Sequence, residues 1–238
     1  MKTVYSCLFI LTFFTSCNDD STSSSKITSS RELFNRIAIE LPGNNSNPYD
    51  ESGWVHNELF ETYYESSNKP TTIAGVISRV EAIANSNSNF KAIKTATYHS
   101  VSAERIQYLI DHKSTCVADV IANSSLTSSA KLSLTTFITS LNEKFAVEPS
   151  CDVLYNYVVA YEKTILDNAN FNTRDKQLML TTTSLARHTV YLAKKKPKKN
   201  TDPDWTILIL HIAAAEDGAE YGMAESVTEG LVAGIVSN

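Results

Sequence analysis

A short stretch of the chain places carboxylate, imidazole and amide side chains at helical spacing. Asp50 is followed by Gly53, His56 and Asn57, and the last three share one side of a helix that begins just after Asp50. Gly53 would let another backbone approach closely, so that His56 and Asn57 point at whatever approaches. Carboxylate and imidazole groups can bind a metal ion or a polar ligand. The candidate ligand-binding residues, including two from the last helix, are Asp50, Gly53, His56, Asn57, His211 and Asp217.

The same residues also have a structural interpretation. Asp50 can cap the helix that follows it, and His56 and Asn57 can bond buried backbone groups. This interpretation is the one we favour, because buried polar side chains commonly order the packing around them. The alternative is a metal-dependent hydrolase centred on His56.

The segment NPYDESGWVHN, residues 47–57, resembles the opening motif of a group of bacterial lipoproteins and secreted proteins. The resemblance covers only this segment and brings no known activity with it.

Motifs of common enzyme classes are missing from the sequence. It contains no His-Glu-x-x-His, Gly-x-Ser-x-Gly, Walker loop or Gly-x-Gly-x-x-Gly. The five histidines are scattered, and no two share a helix face at metal-ligand spacing. We therefore predict no cofactor and favour a non-enzymatic function.

The first residues have the layout of a secretory signal. Lys2 precedes an apolar run from Leu8 to Phe14, which is too short for a permanent transmembrane helix of ~20 residues. The segment Phe14-Thr15-Ser16-Cys17 resembles the lipobox of bacterial lipoproteins, although Leu is commoner than Phe at its first position. In that family the signal is removed and the cysteine becomes the lipidated first residue, carrying palmitate. The alternative is an ordinary signal peptide with an incidental Cys17.

This resemblance implies a location and an order of segments. Residues 1–16 would be the signal peptide, 17–30 a lipidated polar tether, and 31–238 the folded domain. Asp19 and Asp20 resemble the export signal that sends some outer-membrane lipoproteins to the cell surface. We therefore expect an extracytoplasmic protein, anchored to the outer membrane and exposed at the surface, with the periplasmic face as the alternative.

Composition narrows the range of partners. The formal net charge is −5, which argues against a nucleic-acid partner, because such proteins need a basic face. Seven Gly and six Pro residues favour neither a low-complexity chain nor a turn-rich β-sandwich.

Cys116 and Cys151 are a candidate disulfide in an oxidising compartment, or else two buried thiols.

The spacing of apolar residues predicts the fold. They recur at steps of three and four, which predicts an all-α domain, a single irregular bundle of about eight or nine helices behind a flexible tether. We expect helix from Asp50 to Tyr64, helix over Lys91–Ser100, and a helix capped by Asn172. A last helix should run from near Pro203 almost to the C-terminus.

Small residues recur every four positions along that last helix. Such a row is glycine-zipper-like and could serve self-association or membrane contact. It could equally allow tight packing within one domain, which we favour, because a four-residue step drifts around the helix and several acids flank the row. The predicted seam consists of Gly218, Gly222, Gly230 and Gly234.

The sequence thus predicts a non-enzymatic helical module that binds a protein or small-molecule ligand through an interhelical groove. It would contact the membrane through the lipid on Cys17. A self-associating or membrane-active protein and a metal-dependent hydrolase are the alternatives.

Overall fold

The computed structural model describes residues 42–148, 150–195 and 204–238. Within these ranges all regular elements are α-helices, which confirms the predicted all-α class and the single helical domain. The predicted signal peptide and the predicted tether with Cys17 lie outside the described residues. The ten helices described are α1 (Glu51–Glu65), α2 (Ile73–Ser86), α3 (Ser88–Ile93), α4 (Ala103–Asp111), α5 (Cys116–Asn123), α6 (Ser128–Val147), α7 (Cys151–Asp167), α8 (Thr173–Lys195), α9 (Asp204–Ala219) and α10 (Met223–Val236).

Most helices begin where the sequence places a short polar side chain. The Asn172 side-chain oxygen accepts a hydrogen bond from the backbone N–H of Asp175 at 2.8 Å, which confirms the cap predicted for α8. Thr72 and Ser102 accept equivalent bonds at the starts of α2 and α4.

The stretch Lys91–Ser100 differs from the prediction. Helix α3 ends at Ile93, and the following residues are turn and extended chain. Tyr98 explains the departure, because its hydroxyl donates to Glu81 at 2.6 Å and lies 3.3 Å from the hydroxyl of Thr228 on α10. These tertiary contacts outweigh the weak helical preference of the stretch.

The predicted last helix is two helices, α9 and α10, joined by a tight reversal at Glu220–Gly222. A Cβ atom at Gly218 would lie 2.6 Å from the backbone of Glu225 and Ser226, so only glycine permits the close approach there. The Ser226 hydroxyl donates to the carbonyl of Ala215 at 2.7 Å, which links the two antiparallel helices.

The predicted glycine seam therefore packs inside the domain. Gly230 faces Ala215 and the His211 carbonyl, with Cβ distances of 3.4 Å to each, and Gly234 lies against the His211 ring. All four seam glycines are buried. In the described ranges, no helix combines the length and the apolar character needed to span a membrane.

Helices α8 and α10 form the centre of the domain. Every residue from Ala224 to Gly234 is buried, and so is every residue from Leu178 to Val190. Helix α10 packs against α9, α1 and α2, whereas α8 packs against α7, α9 and α1. A helix surrounded on all sides is usually apolar throughout, yet both of these carry charged and hydroxyl side chains. Those polar groups must find their partners inside the domain.

Candidate functional site

The deepest polar cluster is built around Arg187 of α8, whose side chain is completely buried. Its Nη2 donates to Asp50 Oδ1, its Nε donates to Glu162 Oε2 at 3.2 Å, and its Nη1 donates to the Pro42 carbonyl. We call Arg187, Asp50, Glu162 and the two amides Asn44 and Asn47 the Arg187 centre.

Two asparagines complete the Arg187 centre. Asn47 Nδ2 donates to Glu162 Oε1 and to the Leu180 carbonyl, both at 2.9 Å. Asn44 Nδ2 donates to Glu162 Oε2 at 2.6 Å, and the Asn44 backbone N–H donates to Asp50 Oδ2 at 3.0 Å. Two carboxylates thus share one guanidinium, and amide donors stabilise the excess negative charge. The loop before α1 is thereby fastened to α7 and α8.

Asp50 does not cap α1 as predicted. It lies at the N-cap position but its side chain makes no capping bond, because its carboxylate is used by Arg187 and by the Asn44 N–H. Burial would raise the pKa of Asp50, but the nearby His188 ring and the hydrogen-bonded charge of Arg187 outweigh it and lower the pKa to about 2. Asp50 is therefore an anion throughout the ordinary pH range.

His188 lies next to Arg187 in the chain and near the same carboxylate. Its Nε2 is 3.8 Å from Asp50 Oδ1, and its ring meets the edge of Trp54 with the ring centroids 4.8 Å apart. Complete burial lowers the pKa of His188 to about 4, so the imidazole is neutral at pH 7. The cation that pairs with Asp50 is therefore Arg187 and not His188.

Gly53 allows the close approach predicted for it. A Cβ atom at this position would lie 2.3 Å from Cδ2 of His188 and 2.5 Å from Oγ of Ser184. The Gly53 N–H donates to Ser184 Oγ at 3.1 Å, and Ser184 in turn donates to the Asp50 carbonyl at 3.2 Å. Helices α1 and α8 therefore touch through backbone and small polar groups.

The other predicted site residues lie in two further places. His56 is buried beside His211, with ring centroids 5.4 Å apart, and Asn57 is buried next to it in α1. Burial, followed by the neighbouring histidines His211 and His188, lowers the pKa of His56 well below its usual value. Asp217 instead accepts bonds from Arg105 Nε and Nη2 at 2.6 and 2.7 Å. His188 thus connects His56 and His211 to Asp50 and Gly53, whereas Asp217 pairs with Arg105.

Side chains of types used in catalysis lie in and beside the Arg187 centre, and they are buried. Ser184, His188 and Asp50 lie close together, yet Ser184 and His188 have no exposed surface. Among the described residues, no three His, Cys, Asp or Glu side chains converge in a way that could hold a metal ion. The geometry of the Arg187 centre fits a structural role, in which it holds the loop before α1 against α7 and α8.

The two cysteines of the domain do not form the candidate disulfide. Cys116 is buried in the apolar cluster with Val120 and Leu109, whereas Cys151 is half-buried in the first turn of α7. Burial raises the pKa of the Cys116 thiol to about 11, which makes it unreactive. Cys116 behaves as a small apolar side chain.

An open groove lies between α6, α7 and the loop that follows α7, with a volume of about 430 Å³. We call it the aromatic groove. The Phe137 ring lies parallel to the rings of Tyr161 and Tyr157, with centroid distances of 4.0 and 5.6 Å and interplanar angles of 7° and 9°. The remaining lining comes from Leu132, Phe171, Ser129, Ser133, Thr136, Asn168 and Asn170.

Sequence reasoning missed the aromatic groove as a site. The apolar spacing at steps of three and four predicts helices here but does not single out Phe137, Tyr157 or Tyr161. The available signal was the four-residue spacing of Tyr157 and Tyr161, which places both rings on one face of α7. Helix spacing alone does not reveal that this face is open.

Comparisons with protein-family models, with curated proteins and with solved structures find no match to this chain.

Proposed function

We propose that this protein is a non-enzymatic binding module that takes a ligand into the aromatic groove. We propose further that a lipid on Cys17 anchors it to the outer membrane with the helical domain facing outward. The observation that carries the binding role is the open groove in which the half-buried rings of Tyr157 and Tyr161 lie parallel to the buried ring of Phe137.

The groove has the properties of a prepared binding surface. Its volume of about 430 Å³ is within the range of ~300–1,000 Å³ typical of small-ligand sites. Tyr161 is held on one ring face by Phe137 and at its hydroxyl by Ser133, 3.0 Å away. Since these contacts already fix the ring, binding a ligand loses little side-chain entropy.

A comparison of the two clusters favours the groove over the Arg187 centre. Arg187 and Glu162 have no exposed side-chain surface, and their charged groups are paired with each other and with backbone and amide groups. The groove is open, and Leu132 on its border is 70% exposed. Leu132 thereby extends the apolar surface of the rings toward solvent.

The binding role can be tested with a mixture of small neutral fragments, half of them sugars and half of them aromatic compounds. Saturation-transfer difference NMR would report binding to the full chain in lipid nanodiscs. We expect fragments to bind and their signals to be lost in Tyr157→Ala. The control is Tyr221→Ala, because Tyr221 is 60% exposed but lies outside the groove. Signals that persist in Tyr157→Ala would contradict the proposal.

The anchor is tested separately by metabolic labelling with palmitate. The unmodified sequence should incorporate the label and sediment with outer membranes, and Cys17→Ser should lose both properties. Protease added to intact cells should cleave the unmodified protein if the domain faces outward. Equal labelling of both proteins would contradict lipidation at Cys17.

A further inference from the structure

Three of the chain's five histidines meet in the core, on α1, α8 and α9. His56 and His188 have no exposed surface, and His211 is 5% exposed. The ring centroids of His56 and His211 are 5.4 Å apart with an interplanar angle of 75°, and His188 is close enough to affect the pKa of His56. We call these three residues the histidine cluster. A side chain whose charge changes near neutral pH thus lies on each of three packed helices.

The surroundings of the histidine cluster suit neutral imidazoles. Within the described part of the chain, neither ring nitrogen of His56 or of His188 makes a hydrogen bond. The His211 ring lies against Gly234 of α10, which offers no side chain. An imidazolium would bring two N–H donors and a full charge into this water-free contact, which is unfavourable. Proton uptake should therefore weaken the packing of α1 on α8.

The charged groups beside the cluster do not compensate for such a proton. Burial, followed by the positive charges that His211 and His188 would carry, lowers the pKa of His56 well below its usual value. Asp50 favours a proton on His188, but burial and the charge of Arg187 outweigh it and lower the pKa of His188 to about 4. The Asp50 carboxylate is already paired with Arg187.

The buried and half-buried carboxyl groups of the neighbouring helices face other residues. Glu58 of α1 accepts hydrogen bonds from asparagines at the start of α3. Glu216 of α9 accepts one from Thr182, and Glu229 of α10 lies near Arg105. A proton on His56 would therefore gain no new ion pair from α1, α9 or α10.

We propose that the histidine cluster is an acid-sensitive switch, in which proton uptake by His56 and His188 releases α1 from α8 and α9 while the rest of the bundle stays folded. The two imidazoles become accessible to water on release and can then hold their protons at mildly acidic pH. The Arg187 centre is unaffected in this range, because Asp50 stays ionised down to a pH of about 2. The switch is independent of ligand binding, since the aromatic groove shares no residue with the cluster.

Linkage gives the size of the expected effect. Each proton taken up on release raises the equilibrium constant for opening by up to about tenfold per pH unit. Two histidines should therefore raise it by up to about a hundredfold per pH unit between about pH 6 and pH 4.5. A variant without the imidazole at position 56 should lose about one factor of ten from this slope.

Hydrogen exchange measured by mass spectrometry on the full chain in lipid nanodiscs tests the switch. Exchange rates of α1 peptides, corrected for the intrinsic effect of pH on amide exchange, give its opening constant at each pH. Peptides of α6, which contributes no residue to the cluster, serve as the internal reference. We expect opening of α1 to rise steeply on acidification and that of α6 to rise less. His56→Phe and His56→Gln should both flatten the α1 slope about tenfold per pH unit.

The matched control is His112→Phe, because His112 is exposed and bonds only the carbonyl of Tyr108 in its own helix. It should leave the α1 slope unchanged. An α1 slope that is the same in the His56 variants as in the unmodified protein would overturn the proposal. So would opening of α1 and α6 in parallel, because acid would then unfold the whole domain.

Discussion

At the scale of single residues, the main feature is that one arginine organises a loop and two helices. Arg187 brings the Pro42 carbonyl and Asp50 together with Glu162, which lies more than a hundred residues further along the chain. A buried ion cluster does not guarantee a gain over apolar packing, but removing one partner leaves the others charged and buried. The contribution of Arg187 therefore depends on the cluster being complete.

We predict that Arg187→Leu lowers the free energy of unfolding by about 3–5 kcal/mol, because Asp50 and Glu162 would keep their buried charges without the guanidinium. Urea unfolding followed by circular dichroism measures the change. The control is Lys163→Ala, which removes the exposed ion pair with Asp167 and should cost about 0.5 kcal/mol or less. A loss of unfolding free energy no larger than that of the control would show that the Arg187 centre does not stabilise the attachment of this loop.

Two buried acids make the stability depend on pH. Burial raises the pKa of Glu216 and of Glu229 to about 8 each, so both are protonated in the folded protein at neutral pH. The unfolded chain releases these protons above pH 4.5, so the folded state holds more protons between pH 4.5 and 8. Stability contributed by these groups therefore falls as the pH rises through that window, and levels off above it.

The buried histidine His188 acts in the opposite direction at lower pH. With its pKa lowered from 6.5 to about 4, it takes up a proton on unfolding and makes stability rise with pH between these values. We therefore expect the free energy of unfolding to fall between pH 6.5 and 8, by at most about 1.4 kcal/mol per pH unit for each acid, and the melting temperature to fall with it. Scanning calorimetry measures this, and Glu216→Gln should remove about half of the slope. An unchanged slope in that variant would refute the assignment to Glu216.

For single residues, the sequence indicated that the segment 47–57 matters but not that it pairs with a buried arginine. The motif at residues 47–57 does supply Asn47, Asp50 and Gly53 to a buried centre. Its partners Arg187 and Glu162 lie in helices where no local pattern distinguishes an inward charge from a solvated one. Long-range pairing of that kind depends on the packing of three helices, which spacing along the chain does not specify.

At the scale of elements, the reversal between α9 and α10 decides how the centre of the bundle is built. Gly218 and Gly222 are four residues apart in the same reversal, but their surroundings differ. A Cβ atom at Gly218 would meet the backbone of Glu225 at 2.6 Å, whereas one at Gly222 would meet only the tip of the Glu225 side chain at 2.8 Å. The backbone that a methyl group at Gly218 would meet is rigid, whereas the Glu225 side chain near Gly222 can move aside.

We predict that Gly218→Ala destabilises the protein by about 1–3 kcal/mol, because α9 and α10 must shift apart to admit the methyl group. Gly222→Ala serves as its matched control and should change the free energy of unfolding by less than about 1 kcal/mol. Thermal unfolding of both variants gives the comparison. Equal losses of stability in the two variants would mean that the close contact at Gly218 does not hold α9 against α10.

Helices were mostly predictable, and their interruptions were less so. Regular apolar spacing and polar caps predicted most of the helices, including the start of α8 at Asn172. The break at Glu220–Gly222 was missed because apolar and small residues continue at helical spacing on both sides of it. The end of α3 was missed because the contacts of Tyr98 with Glu81 and Thr228 come from distant helices.

At the scale of the whole molecule, the closed and open polar regions have separate tasks in our proposal. The Arg187 centre fixes the loop that leads from the N-terminal segment into the bundle. The aromatic groove lies on α6 and α7, and its lining shares no residue with that centre. Loss of ligand binding should therefore be separable from loss of stability by mutation.

The burial of α10 on all sides has a consequence for how the chain is made. Nine of the described helices precede α10 along the chain, and α1, α2, α3, α4, α8 and α9 among them pack against it. While the ribosome is still synthesising those helices, the segment that fills their centre does not yet exist, so the domain cannot reach its native packing. The central packing can therefore close only after α10 has left the ribosome, so we expect folding of this domain to be completed late in its synthesis.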